Sequence, residues 1–269
     1  MAMKAELSIH TELRNGKTIL NEVFYTPPFK IANISEDKNE KQLRLMMMSS
    51  SPGILDGDEY CIKIRVGEGS ILQLETQSYQ RLFQMEDGAS QTIELHMAEN
   101  SSFYFLPHPS VPHKGSHFAA RNKLYLSKGC TLCWGEVMTS GRKLNGESFV
   151  FSKLHSLTEI YMDKKLVVKE NLLMMPGITD LTGIGQLEGF SHQGSLLFIN
   201  ESAAVSDLIQ QSASLLKRQV GIEFGCTALP VNGLLVRILG NKGEQLHNCL
   251  KTLSSYFVNT DVKNVVYAE

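Results

Sequence analysis

A mainly β fold with two helices in its last third is predicted by three observations: period-two hydrophobicity between about residues 60 and 170, three turns at nearly even spacing, and helical spacing after residue 201. In CIKIRV, Ile62, Ile64 and Val66 share one face while Lys63 and Arg65 share the other. ILQLE repeats the pattern after a Gly-Glu-Gly turn, with Leu72 and Leu74 inward. QTIELHM groups Ile93, Leu95 and Met97; a turn at Glu99-Asn100 leads into SFYFL, and KLYLS turns at Lys128-Gly129 into CTLCWGE.

The turns at Gly69, Asn100 and Gly129 lie 31 and 29 residues apart, each between two short strands. Units of this length suit a solenoid, whose coils stack to share a core, or a β-sandwich of hairpins. The loose side-chain signature between units and the greater frequency of sandwiches favour the sandwich on the residues alone. After residue 201, Val205, Leu208, Ile209, Leu215 and Leu216 follow three-four spacing, so a helix is predicted. GIEFGCTAL and GLLVRILG read as two strands, and Leu246, Cys249, Leu250, Leu253 and Phe257 form the stripe of a final helix. The chain therefore reads as one domain over 1–269, a β-rich body over 1–200 with a helix-strand-strand-helix portion over 201–269 packed on it.

With 269 residues, 42% of them hydrophobic, the chain can fill a sizeable core. A net charge of -2 and a pI near 6.5 give no electrostatic reason to bind nucleic acid or an anionic membrane. No apolar run approaches the roughly 20 residues that span a bilayer, and MAMKAELSIHTELRNG lacks a signal-peptide core, so a cytoplasmic location is expected. Five scattered cysteines, Cys61, Cys130, Cys133, Cys226 and Cys249, are an odd number and point to free thiols in a reducing compartment.

Motifs for catalysis or tight metal binding are missing or malformed. GIGQLEG breaks the dinucleotide spacing and no GxxxxGK[ST] occurs, so no phosphate cradle of that type exists. In GFSHQG, Gln193 stands where a nucleophile elbow needs glycine. His108, His113 and His117 lie in a proline-broken, extended stretch that would set His113 and His117 about 13 Å apart, too far for one ion unless the loop folds back. Cys130 and Cys133 form a single CxxC whose members diverge on a strand, so no stable metal site is expected. Glu136 is unusual: it shares strand parity with Leu132 and Trp134, which turns a carboxylate inward. It is either an ion-paired group, with Arg142 six residues on as a structural charge partner, or part of a hydrated passage.

Six stretches in order, FYTPPFK (24–30), SPGILDGDEY (51–60), LETQSYQRLF (74–83), LPHPSVPHKGSHF (106–118), EVMTSGRKLNGESFVF (136–151) and LPVNGLLVRILG (229–240), resemble the UreD (UreH) family of urease accessory proteins over nearly the whole chain. His108 and His113 depart from the family pattern, which has an acidic or aromatic residue at the first position and an aromatic at the second. The resemblance implies a β-helix-like, solenoid body with two helices in place of the sandwich. It implies a non-enzymatic scaffold that binds the helical protein UreF, and through it the GTPase UreG, and docks on urease apoprotein. The family further implies nickel in transit through an internal hydrated tunnel, with no tightly bound cofactor. Asp58, Glu136 and Glu147 are the candidates for lining that path, since a borderline divalent ion passes along weak oxygen ligands and would be trapped by a Cys/His cage. Helical stripes of this kind pack more often on the chain's own sheet than on a partner; for the partner reading, Val205, Leu208, Leu246, Leu250, Leu253 and Phe257 are the candidate partner-binding residues. The alternative is a carbohydrate-active enzyme on a β-solenoid, which would need two convergent carboxylates.

Overall fold

The computed structural model describes residues 2–37 and 40–266, with side chains through 258. In chain order the elements are β1 (Lys4–Arg14), β2 (Lys17–Tyr25), β3 (Phe29–Asn33), β4 (Leu43–Ser49), β5 (Glu59–Val66), β6 (Ile71–Thr76), β7 (Gln80–Leu82), β8 (Ala89–Met97) and β9 (Ser102–Phe105). There follow β10 (Ser110–Pro112), β11 (His117–Leu126), β12 (Thr131–Met138), a 3-10 turn (Lys143–Asn145), β13 (Lys153–Met162), β14 (Lys165–Met174), β15 (His192–Asn200), α1 (Val205–Leu216), β16 (Ile222–Ala228), β17 (Gly233–Gly240) and α2 (Gly243–Val266). The fold is mainly β with two helices, as the period change predicts.

The chain passes back and forth between two sheets. One has the order β14-β13-β11-β8-β5-β1-β2; the other runs β16-β17-β15-β12-β9-β6-β4-β3, with β7 and β10 alongside. The middle strands pair in parallel in both sheets, and the register repeats the turn spacing. Glu59 faces Ser90 and Ile71 faces Ser102, offsets of 31; Ala89 faces Phe118 and Ser102 faces Thr131, offsets of 29. Antiparallel hairpins such as β1/β2, β13/β14 and β16/β17 close the ends.

The turns of successive passes lie against one another. Gly69 N donates to Glu99 O and Asn100 N donates to Lys128 O, at 3.1 and 3.0 Å. All three turn residues have positive φ, and a Cβ at Gly129 would stand 2.2 Å from Asn100 Oδ1, so glycine is required there on two counts.

Inward residues from both sheets form the main core, including Leu7, Ile9, Ile62, Ile64, Leu95, Phe103, Leu132 and Trp134. A second core lies on the outer face of the second sheet, where Cys133, Val137, Leu196, Phe198 and Val236 meet both helices. β12 is thus covered on both faces, which accounts for TLCWG being buried without alternation. The helical stripes belong to this second core. Leu208, Leu246, Leu250, Leu253 and Phe257 are buried and Val205 packs at their edge. The expectation that they form a partner-binding face is corrected: the outer face of the sheet is itself apolar, and the helices bury their stripes on it. Among the described residues no helix is long and apolar enough to cross a membrane.

Candidate functional site

Parity places Glu136 on the inner face of β12, together with Leu132, Trp134 and Met138. Around it the core turns polar. A cavity of about 70 Å³ between the sheets is lined by Thr76, Gln80, Gln91, Ser110, Asn122 and Glu136, with Phe105, Phe118 and Trp134 as apolar walls. That volume has room for a few waters. Gln80 Nε2 donates to Gln91 Oε1 at 2.9 Å, and Ser110 Oγ donates to Gln80 Oε1 at 3.1 Å. Asn122 Nδ2 donates to Thr158 Oγ1 at 2.9 Å, which leaves Asn122 Oδ1 buried with no protein partner.

The polar patch follows from register. Gln91, Ala120 and Ser156 are aligned across β8, β11 and β13, and Ile93, Asn122 and Thr158 form the next row. All project from the inner face of the first sheet toward β12.

Glu136 is half-buried: it borders the cavity, and its carboxyl is set among protein atoms. That setting governs its chemistry: burial pushes its pKa up to about 7, the Ser156 hydroxyl pulls it partly back, and the Glu170 charge adds to the rise. Ser156 Oγ itself makes no hydrogen bond of good geometry, so its help is weak. No cation pairs with Glu136 among the described residues. Near neutral pH this group is divided between its protonated and ionised forms.

Thr76, Phe105 and His108 also line a second small cavity, of about 80 Å³, with Gln73, Glu75, His247, Lys251 and Ser254. His108 and His247 stack between the two spaces with ring centroids 4.8 Å apart, and His108 Nδ1 lies 2.9 Å from Thr76 Oγ1. Burial lowers both histidine pKa values, that of His247 to about 4, and His247 Nε2 is buried without a partner. Sequence patterns alone do not single out His247, Gln91, Asn122 or Ser156. Gln91 and Asn122 do share inward parity with Leu95 and Leu124, a signal masked by the apolar residues that dominate the same faces.

The other candidates lie elsewhere. Asp58 is 1% exposed, and its carboxylate accepts backbone N–H bonds from Met3 at 3.0 Å and Leu55 at 2.9 Å. Asp56 Oδ1 accepts from Glu86, Asp87 and Gly88, each at 3.0 Å. The Gly-Asp turn is therefore a clip joining three chain segments, and Asp58 does not border the cavity. Glu147 pairs with Arg142 through both carboxylate oxygens and accepts a bond from Lys114 N, outside the cavity. Arg142 is thus the charge partner of Glu147 and not of Glu136. The pairing holds the Glu147 carboxyl below its ordinary pKa.

His113 packs edge-on against Phe83 at 4.8 Å and His108 stacks on His247, so these two histidines go to different neighbours. No group of three His, Cys, Asp or Glu able to hold a metal occurs among the described residues. Cys130 and Cys133 diverge into different cores, Cys130 toward Ala98 O at 3.1 Å and Cys133 toward Ser254 Oγ at 3.5 Å. Burial pushes the Cys133 thiol up to about 12. An aromatic disulfide reagent at pH 8 is expected to label Cys61 and Cys226, both half-buried, well before Cys130 and Cys133. Mass-spectrometric mapping of early adducts checks this, and rapid labelling of Cys133 would contradict its burial.

A family model described as UreD urease accessory protein matches residues 3–264. Similar curated proteins include the "Urease accessory protein UreD" of Flavobacterium johnsoniae, 45% identical over 249 residues, covering 92% of this chain and 90% of that one. Proteins of the same name from Haemophilus influenzae and Acetivibrio thermocellus are 35% and 32% identical, each alignment covering 93% of this chain and 97% or 95% of the relative. A family match over almost the full chain, with relatives of this identity and coverage, establishes that the chain belongs to the UreD family of urease accessory proteins.

Proposed function

We propose that this protein is a non-enzymatic maturation factor that links UreF and the GTPase UreG to urease apoprotein and passes nickel along its polar interior. The observation that carries the path is Glu136, a half-buried carboxyl without a counter-cation among the described residues, facing a cavity lined by amides and hydroxyls. A group with a pKa of about 7 exchanges a proton for a divalent ion at little cost, and neutral oxygen ligands beyond it hold the ion weakly. Glu136 is then a relay point and His108 with His247 border the next space, while Asp58 and Glu147 keep structural tasks.

The reading as a carbohydrate-active enzyme loses ground on the same geometry. Among the described residues Glu136 is the one carboxylate bordering this cavity, which is too small for a sugar ring, whereas glycoside hydrolysis needs two facing carboxyls.

The test is urease activity per mole of apoprotein in nickel-supplied cells carrying the other urease genes, with and without this chain. Activity is expected to fall to background without it at unchanged apoprotein abundance. Unchanged activity would reject the maturation role.

A further inference from the structure

A recess of about 1040 Å³ lies away from the Glu136 cavity, between the 3-10 turn, the C-terminal end of α1 and the first turn of α2. Lys143, Arg218 and Lys242 line it, and none of them pairs with a carboxylate among the described residues. Arg142 also borders it but is neutralised by Glu147. Glu244, the one carboxylate in the lining, stands near Tyr79, where its charge joins burial in raising the phenol pKa.

At one end of this recess the buried Ser191 and His192 meet the exposed Lys143 and Asn241. Ser191 Oγ donates to Asn241 Oδ1 at 2.8 Å, accepts from Lys143 Nζ at 3.1 Å, and lies 2.7 Å from His192 Nδ1. Lys143 Nζ also donates to Asn241 Oδ1 at 3.4 Å, so two donors fix the amide oxygen on that side. The single serine hydrogen is committed to Asn241. His192 Nδ1 must then be the donor to Ser191, and Nε2 carries the free lone pair. His192 is only 6% exposed, lines the recess, and has no partner at Nε2 among the described residues.

The space beside this ring is kept open. A Cβ at Gly243 would stand 3.1 Å from Thr139 Cγ2 and 3.4 Å from His192 Cδ2, so glycine leaves a gap between the imidazole and the start of α2. The first helical bond runs from Leu246 N to Lys242 O, at 3.2 Å, and the amides of 243–245 before it have no helical acceptor. Unpaired cations and free amides favour a negative charge, and the bare imidazole nitrogen needs a donor.

We propose that this end of the recess is a binding site for a small oxyanion that also carries an O–H group, its charged oxygens held by Lys143 and the first amides of α2 and its hydroxyl donating to His192 Nε2. Hydrogenphosphate is the simplest anion of that class. Sulfate has the same shape and no hydrogen to donate, so it sets lone pair against lone pair at His192.

Isothermal titration of the full chain with inorganic phosphate and with sulfate, at pH 7 and matched ionic strength, tests the site. Phosphate is expected to bind saturably with one site per chain and at least about tenfold more tightly than sulfate, which leaves the His192 lone pair without a donor. Lys143→Met, at an exposed position, is expected to weaken phosphate roughly tenfold, and His192→Gln to reduce the preference over sulfate. No saturable phosphate binding, equal affinity for the two anions, or unchanged affinity in a natively folded Lys143→Met variant would each overturn the proposal. Should the buried His192 variant not fold, the anion comparison and Lys143→Met still decide.

Discussion

Glu136→Gln is expected to stabilise the folded chain above pH 7 while impairing urease maturation. The folded pKa of Glu136 is about 7 against an ordinary 4.5, so the folded state holds its proton more tightly than the unfolded state. Below pH 4.5 both states are protonated and the group costs nothing. As pH rises from there through 7 the unfolded carboxyl ionises first, and the stability present at low pH is lost, by at most about 3 kcal/mol. Glutamine removes this dependence, so thermal melts at pH 5 and pH 8 should differ less in the variant, and its midpoint at pH 8 should rise by several degrees. The same exchange removes the carboxylate that the cavity offers a passing cation, so activation of urease should fall under limiting nickel. A variant that activates normally would take Glu136 off the path. An unaltered pH dependence of melting would mean the carboxyl is not set among protein atoms.

Asp58→Ala is expected to have the opposite profile. Removing a buried carboxylate that accepts two backbone amides leaves Met3 N and Leu55 N without partners, at a cost of about 3 kcal/mol. The chain should melt at lower temperature and its first strand should become sensitive to protease, because β1 is held to β5 beside this clip. Activation per mole of folded protein should stay at the wild-type level. Lost activation at an unchanged melting temperature would return Asp58 to the nickel path and remove it from the frame. Comparing the two variants separates a residue that handles cargo from one that fastens chain to chain.

The central residue of the candidate site is legible in the sequence. Inward parity of Glu136 follows from its spacing to Leu132 and Trp134, and it holds because side chains of a strand alternate whatever the strand later meets. What Glu136 faces is not legible there. Arg142 is near in sequence and suited to pair with it, yet the turn at Lys143–Asn145 carries the guanidinium to Glu147. Gln91, Asn122 and Ser156 are inward polar residues by parity, but only parallel registry across three strands gathers them into one patch.

The sequence by itself determined the mainly β class, the two C-terminal helices, and the spacings of 31 and 29 residues that reappear as strand registers in both sheets. These are local properties, set by the two-residue period of a strand, the 3.6-residue period of a helix and the turn residues that tolerate positive φ. Tertiary structure alone decided that the stripe from Leu246 to Phe257 covers the chain's own sheet, that Asp58 serves amides 55 and 3 residues away, and that Glu136 has no cation beside it among the described residues. A hydrogen-bond or apolar partner is chosen by which distant segments the folded backbone brings within reach, and no local period encodes that choice.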